Sequence, residues 1–490
     1  MTVLLSEVAA GIDGALEGPD VEVRSATHDS RLVAPGSLFC AIVGRYHDGH
    51  DHVADAVAAG AVAALVEHDI PVDVPRIRVA DVRRAAGPAA AIIHDHPSRD
   101  VAVIGVTGTN GKTTVTWMLE AAIGAAARGA GVIGTIGARV HGETLPGERT
   151  TPEGPALVQL LATMRDRGVE VAALEVSSHA LDLHRVDGTR FRIVVFTNLS
   201  QDHLDHHGDM ETYYRAKREL FTADRADHAV IWIDDEHGAR LATETALPTT
   251  TVGTGADADV TVTVTRVDLF GGTAVLALDG ARVEVTTPQL GRHNVVNAVL
   301  ATVAAVRAGL PSEAVVAGVK AAAMPPGRLE RVDVGQPFAV LVDYAHTPDA
   351  LRIVVAELQR LLADTGRLHV VIGAGGDRDP TKRGPMGEAA AQADHVIVTS
   401  DNPRSEDPAT ILEAVAAGAR QAVATRGSGQ VEEILDRRGA IARALVTAAA
   451  GDIVLIAGKG HERQQELADR VIDFDDRRVA TDELRRLVRS

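Results

Sequence analysis

The residues best suited to chemistry stand together in Val101-Ala-Val-Ile-Gly-Val-Thr-Gly-Thr-Asn-Gly-Lys-Thr-Thr114. An apolar, β-branched run from Val101 to Val106 breaks at Gly108 and Gly111, and a helix pattern resumes at Thr113. Such a turn presents backbone N–H groups, a helix N-terminus and one ammonium to a polyphosphate. Gly108, Thr109, Asn110, Gly111, Lys112, Thr113 and Thr114 are therefore candidate phosphate ligands. The strict spacing of four residues between glycines is not met, because Val106 stands five before Gly111. That weakens a generic motor or GTPase reading. A bare glycine turn is the bland alternative, and the Lys-Thr-Thr directly behind it argues for phosphate.

Other strand-like runs also end in reactive side chains. Val171-Ala-Ala-Leu-Glu175 leads into Val-Ser-Ser-His179. A carboxylate at such a strand end, beside a phosphate loop, suits Mg²⁺, which prefers one or two carboxylates plus phosphates and water; a cap or a salt bridge is the simpler role. Thr197-Asn-Leu-Ser-Gln-Asp-His203-Leu-Asp205-His-His207 reads as a solvated turn, a zinc site or, given its neighbour, a contributor to nucleotide-bound Mg²⁺ through His203. Tyr213 to Phe221 has a helical pattern in which Lys217, taken alone, is a surface lysine. Further along, Asp343-Tyr-Ala-His346, Gly373-Ala-Gly-Gly-Asp377-Arg378, Asp401-Asn-Pro-Arg404 and Gly458-Lys-Gly-His-Glu462 follow strand-like runs. The glycine spacing misses a dinucleotide fingerprint, while acids and bases at adjacent strand ends suit a zwitterionic amino acid.

The elements that position these groups alternate strand and helix, predicting an α/β fold with ligands at the carboxyl ends of strands. The 490 residues allow about three domains at ~150 residues each. A small N-terminal α/β domain is expected over 1–98. A central P-loop-type ATPase domain follows over 99–325, with a small antiparallel insert where Val260-Thr-Val-Thr-Val-Thr265 alternates. A C-terminal Rossmann-like α/β domain is expected over 326–490. A net charge of −18 and only 3% aromatic residues exclude a nonspecific nucleic-acid binder. Cys40 is the single cysteine, which excludes an intrachain disulfide and a Cys-based metal cluster. No apolar run approaches the ~18 residues of a membrane span. A cytoplasmic enzyme with no membrane or nucleic-acid partner is expected.

Taken together, Thr107-Gly-Thr-Asn-Gly-Lys-Thr-Thr114, Glu175-Val-Ser-Ser-His179, Asp202-His-Leu-Asp205 with Tyr214-x-Ala-Lys217, Gly291-Arg-His-Asn294, Asp343-Tyr-Ala-His346 and Asp401-Asn-Pro-Arg404 resemble the Mur ligase family, in order along the whole chain. The resemblance implies an ATP- and Mg²⁺-dependent ligase of peptidoglycan synthesis that activates a carboxylate as an acyl phosphate. Its implied substrates are UDP-N-acetylmuramoyl-L-alanyl-D-glutamate and diaminopimelate, and a monomer is expected. By the same resemblance, Ser30, Arg45, Tyr46, His47, Thr150, Thr151, Ser177 and Arg185 would hold the uridine substrate. Asn294, Arg328, Asp343 and His346 would join the phosphate loop on ATP, and Thr113, Glu175, His203 and a carbamylated Lys217 would hold metal. Lys112, Glu175, His203 and Lys217 would be the catalytic set. Arg383, Asp401, Asn402, Pro403, Arg404, Gly458 and Glu462 would receive diaminopimelate. A lysine-adding sister ligase and a folylpolyglutamate-synthase-like ligase are the rival activities, and a catalytically dead nucleotide-binding scaffold is the rival outside catalysis.

Overall fold

The structure, a computed structural model, describes residues 2–44, 47–145, 150–324, 327–362 and 365–489. The chain divides into two compact units: 1–265 with 273–287 and 293–323, and 266–272 with 288–292 and 324–490. The segment expected as the N-terminal domain falls in the first unit, as does the expected central domain apart from 266–272, 288–292 and 324–325, which go with the second.

The first unit is built on an eleven-stranded sheet. Its middle holds β1 (Ala102–Thr107), flanked by β2 (Val171–Glu175) and β3 (Phe191–Phe196), all parallel. Val103, Ile104, Val106, Ala172, Leu174, Val194 and Val195 are fully buried on these strands. Each Val, Leu or Ile so buried contributes on the order of 1.5–3 kcal/mol, which is why continuous apolar runs, rather than alternating ones, fill a sheet covered on both faces. The register sets Glu175 opposite Val106 and Phe196 opposite Thr107. The carboxyl ends of the three strands are therefore level, and the reactive loops leave from one edge. The alternating segment Val260–Asp268 pairs parallel to Thr249–Gly253, and the strands Gly271–Leu278 and Ala281–Thr287 carry the same sheet onward to its edge. That alternation of burial reflects a sheet margin with one wet face.

A five-stranded sheet carries the N-terminal segment, and the helix Val82–Ile93 covers it. At Gly87 of that helix a Cβ would fall 2.0 Å from the carbonyl oxygen of Asp187, so only glycine allows this contact with the central part. No described helix is long and apolar enough to cross a membrane.

In the second unit, β4 (Ala339–Asp343), β5 (Leu368–Ile372), β6 (His395–Val398) and β7 (Ile453–Ala457) form a parallel core. The last strand, β7, inserts between β4 and β5. Connections on either side of such a reversal diverge and open a crevice at the carboxyl ends. The turns holding Asp343, Asp377, Asp401 and Gly458 all leave from that edge.

Candidate active site

The phosphate loop joins β1 to α1 (Lys112–Ala125). Gly108 and Gly111 have φ of 147° and 88°, the left-handed side that disfavours L side chains. Space forbids a side chain as well. A Cβ at Gly108 would lie 1.9 Å from Thr197 Oγ1, and one at Gly111 would lie 2.4 Å from Asn297 Oδ1. The loop is also tied to the end of β3. The backbone N–H of Asn110 donates to Asn198 Oδ1 at 3.0 Å, Thr197 Oγ1 donates to Asn110 O at 2.6 Å, and Thr109 Oγ1 donates to Ser200 O at 3.1 Å. Asn294 is buried and accepts from Asn297 Nδ2 at 3.0 Å, which brings it to the loop through the residue that faces Gly111. Thr114 is buried in the first turn of α1.

Two lysines meet on one oxygen. Lys112 Nζ donates to the carbonyls of Gly108 and Thr109, each at 2.9 Å, and Lys217 Nζ donates to Gly108 O at 3.0 Å. Lys217 lies on α3 (Met210–Arg218) with 1% of its surface exposed, so the surface-lysine reading is corrected. Burial, reinforced by the charge of Lys112, pushes its ammonium well below the usual lysine range. The Tyr213 ring lies 4.6 Å from Nζ, and the Tyr213 hydroxyl lies 3.2 Å from Thr109 Oγ1.

Glu175, also 1% exposed, closes the other side. It accepts from Thr113 Oγ1 at 3.0 Å, from the Thr135 backbone N–H at 2.9 Å and from Thr135 Oγ1 at 3.1 Å. Thr150 Oγ1 lies 3.1 Å from Thr135 Oγ1, and Thr151 Oγ1 donates to Glu175 O at 2.8 Å and to Ser177 Oγ at 3.4 Å. Arg185 reaches Thr151 O at 3.3 Å and pairs with the buried Glu153 at 3.0 Å. A chain of short contacts thus runs from the phosphate loop through Glu175 to Arg185. Ser177 caps α2 (Ser178–Asp182) by accepting the Ala180 N–H.

His203, held at φ +52°, enters a histidine cluster: its ring lies 4.7 Å from that of His179, and His206 lies 4.2 Å from His179 on another side. Burial, then the neighbouring histidines, lower the His179 pKa to about 4. His207 is buried, stacks on Tyr213 at 5.0 Å, and contacts Ser178 Oγ at 2.9 Å.

In the N-terminal sheet, Ser30 opens a single 3-10 turn capped by Asp29, and His47 is exposed. Arg45 and Tyr46 lie outside the described residues. Nearby, Asp48, His50 and His68 approach one another closely enough to suggest a metal. However, His50 Nε2 accepts the Glu67 N–H at 2.9 Å, so Nδ1 carries the proton given to Asp48 at 2.6 Å. Both ring nitrogens are then used in holding the loop.

In the second unit several charged groups are matched in pairs. Arg404 donates from Nε to Glu466 at 2.6 Å and from Nη1 to Gly376 O at 2.8 Å. Arg383, 5% exposed, places Nη2 2.8 Å from both oxygens of Glu406, while its Nε has no hydrogen-bond partner among the described residues. Asn402 donates to Glu462 at 2.8 Å. Asp343 accepts the N–H groups of Leu329 and Ala345. Arg328 lies 5.2 Å over the Tyr344 ring, whose other contacts include His346 at 4.5 Å. Gly458, at φ +112°, is pressed against Asp401, and the Pro403 carbonyl fills the space a side chain at Gly376 would need. Sequence reasoning passed over two residues here. Lys459 is completely buried and bonds Asn402 and Glu462. Arg437, also fully buried, pairs twice with Asp476 and donates to Ala457 O at the end of β7. Both lie in sequences that read as ordinary loop and surface helix, with no signal of burial.

A phosphate loop backed by a buried carboxylate, and a second sheet edge crowded with paired acids and bases, fit an acid–amino-acid ligase. Three family models match in order: "Mur ligase family, catalytic domain" over residues 22–98, "Mur ligase middle domain" over 106–305 and "Mur ligase, glutamate ligase domain" over 327–460. A Streptomyces coelicolor protein named UDP-N-acetylmuramoyl-L-alanyl-D-glutamate–2,6-diaminopimelate ligase is 44% identical over 98% of this chain and 96% of its own. A solved structure of a ligase with that same name superposes with a TM-score of 0.72 at 34% identity, covering 99% of this chain and 100% of the other. The MurF ligase of Thermotoga maritima in complex with ADP shares the fold, with a TM-score of 0.63 at 18% identity over 90% of this chain and 94% of the other. The chain belongs to the Mur ligase family.

Proposed function

We propose that this ligase uses ATP to join diaminopimelate to UDP-N-acetylmuramoyl-L-alanyl-D-glutamate, a step of peptidoglycan synthesis. The carrying observation is the second unit's strand edge, where the Arg404 fork, Asn402 and Glu462 stand within one hydrogen-bonded set. A cation for a distal carboxylate and an anion for an ammonium suit an amino acid with a second zwitterionic end. Lysine lacks that carboxylate, which disfavours the lysine-adding reading.

In this reading the γ-phosphoryl group of ATP passes to the substrate carboxylate, and the amine of diaminopimelate then displaces phosphate from the acyl carbon. Lys112 and the loop N–H groups would meet the charge that develops on the phosphoryl oxygens. Thr150, Thr151, Ser177 and Arg185 would bind the muramyl dipeptide, and Ser30 with the Arg45-Tyr-His47 stretch would bind the uridine end. Asn294, Arg328, Asp343 and His346 would complete the ATP site.

Mg²⁺ fits the donor set. Thr113 offers a hydroxyl already aimed at the Glu175 carboxylate, and the carboxylate is backed by a backbone N–H rather than a cation. Glu175, Thr113, His203 and Lys217 would hold it, and bound Mg²⁺ supplies charge neutralisation for the phosphates. An ammonium at Lys217 would repel a metal. The burial that favours its neutral amine also favours capture of CO₂: the amine nitrogen bonds the carbon, one proton leaves, and the product is an anion. We read the enzyme as a cytoplasmic monomer. ADP release measured with diaminopimelate isomers and lysine in parallel tests the assignment. Release that requires the uridine substrate and diaminopimelate supports it, while equal turnover with lysine overturns it.

A further inference from the structure

We propose that Lys459 is a positioning residue for the incoming amino acid, fixing the orientation of the Asn402 amide and reserving one face of the Glu462 carboxylate for the ligand's ammonium. This rests on the amino-acid site described above.

Lys459 follows β7 and has no exposed surface. A buried ammonium is costly unless its charge and its donors are met. Here Nζ donates to Asn402 Oδ1 at 2.9 Å and to Glu462 Oε2 at 3.0 Å, with Asp401 Oδ1 at 3.8 Å. The backbone N–H of Glu466 donates to the same Asn402 oxygen at 3.0 Å. Two donors on one side of the amide leave no choice of orientation: the oxygen must face Lys459, so Nδ2 must face Glu462, which it does at 2.8 Å. Reversal would set an NH₂ group against an ammonium and an N–H.

The consequence falls on Glu462. Its Oε2 takes both the Lys459 and the Asn402 donors, so the carboxylate is pinned by one oxygen and presents the other. Lys459 also offsets part of the repulsion between the Asp401 and Glu462 carboxylates. Without Lys459 the amide keeps only the Glu466 N–H on its oxygen, Glu462 loses the donor that pins it, and the two carboxylates repel, so the ligand meets a site in the wrong arrangement part of the time. Affinity then falls by the fraction of correctly arranged sites.

Steady-state kinetics of Lys459→Met on the full-length enzyme test this, with KM read for whichever amino acid the wild-type enzyme uses. A wrong substrate assignment therefore shows itself in the wild-type assay, and a wrong role for Lys459 only in the variant. The expected result is an amino-acid KM raised tenfold or more, kcat changed less than about threefold, and KM for ATP and for the uridine substrate within twofold. An unchanged amino-acid KM, or a parallel rise in all three constants, overturns the proposal. If Lys459→Met lacks a cooperative thermal transition, Lys459→Gln, which keeps a neutral donor for Asn402, takes its place, with an amino-acid KM expected to rise at least threefold. An unchanged value there overturns the proposal, as does failure of both variants to fold, because Lys459 is then a purely structural residue.

Discussion

The carboxyl edges of the two parallel sheets handle charge in opposite ways. Around β1, two amines converge on one oxygen: Lys112 and Lys217 share the carbonyl of Gly108, burial favours the neutral form of Lys217, and Glu175 accepts from hydroxyls and an N–H. Around β5 to β7, opposite charges are matched in advance: Arg404 with Glu466, Arg383 with Glu406, Lys459 with Glu462, Arg437 with Asp476. In the proposed reaction the first edge would meet a polyanion and a divalent cation, and so the charge that develops in the transition state. The second is matched within each of these pairs, so in the proposed reaction a zwitterion would bind by partner exchange. Substitutions at the first edge should therefore cost turnover, and those at the second should cost selectivity.

The largest effect is expected at Lys112. Lys112→Ala should keep its thermal transition and lose kcat on the order of a thousandfold, because the ammonium acts on charge that appears during transfer. Turnover above a tenth of wild type would remove the phosphate-loop assignment. Lys217 should come next. Folding favours its neutral amine, so the unfolded chain binds the extra proton, and the fraction able to capture CO₂ grows as pH rises. Turnover of wild type stripped of CO₂ should recover on adding bicarbonate. Lys217→Ala should lose roughly a hundredfold, and Lys217→Arg should not restore it, since arginine keeps the wrong sign of charge. Normal turnover in Lys217→Arg would return the residue to a role in packing.

The two edges were also legible to different degrees. The phosphate loop could be read directly, because glycines, a lysine and hydroxyls at a strand-to-helix junction have few other uses, and the buried strands around it are continuous apolar runs. In the second unit the apolar runs 338–342, 368–372, 395–399 and 452–456 read as strands, each within a residue of Ala339–Asp343, Leu368–Ile372, His395–Val398 and Ile453–Ala457. Burial of charge was not legible. Lys217 sits in a helix with many polar neighbours, and its position under the phosphate loop comes from α3 packing beneath Gly108, a contact 109 residues away in sequence. Lys459 and Arg437 were passed over for the same reason: periodicity reports where apolar residues go, and says nothing of a cation whose partners arrive from distant turns. The strand Gln430–Glu433, with no apolar run, was missed because it is a short exposed edge.

At the second edge the comparison can be sharpened with one pair of variants. Arg404→Ala should raise the KM for diaminopimelate by about thirtyfold, since losing one partner of a close charge pair costs upward of ~2 kcal/mol, and should leave the KM for ATP nearly unchanged. Lysine, with no distal carboxylate to strand, should be affected much less. If ATP and diaminopimelate affinities fall together, Arg404 is structural.

Glu466 should give the smallest effect and the most telling sign. Arg404 already gives Nε to Glu466 and Nη1 to Gly376 O, so a ligand carboxylate that grips the Nε edge of the fork displaces Glu466. The Glu466 side chain is about half exposed, at 47%, and Arg404 is 23% exposed. Ion pairs this open to water are worth only about 0.2–1 kcal/mol, so the exchange is cheap and the possible gain is bounded. Glu466→Gln keeps the shape of the side chain and its backbone N–H to Asn402, and removes the competing charge. The KM for diaminopimelate should fall by two- to fivefold, with the KM for lysine unmoved, and the gain should shrink as added salt screens the original pair. A rise in KM for diaminopimelate would mean that Glu466 itself belongs to the ligand site, and that partner exchange is the wrong description of this edge.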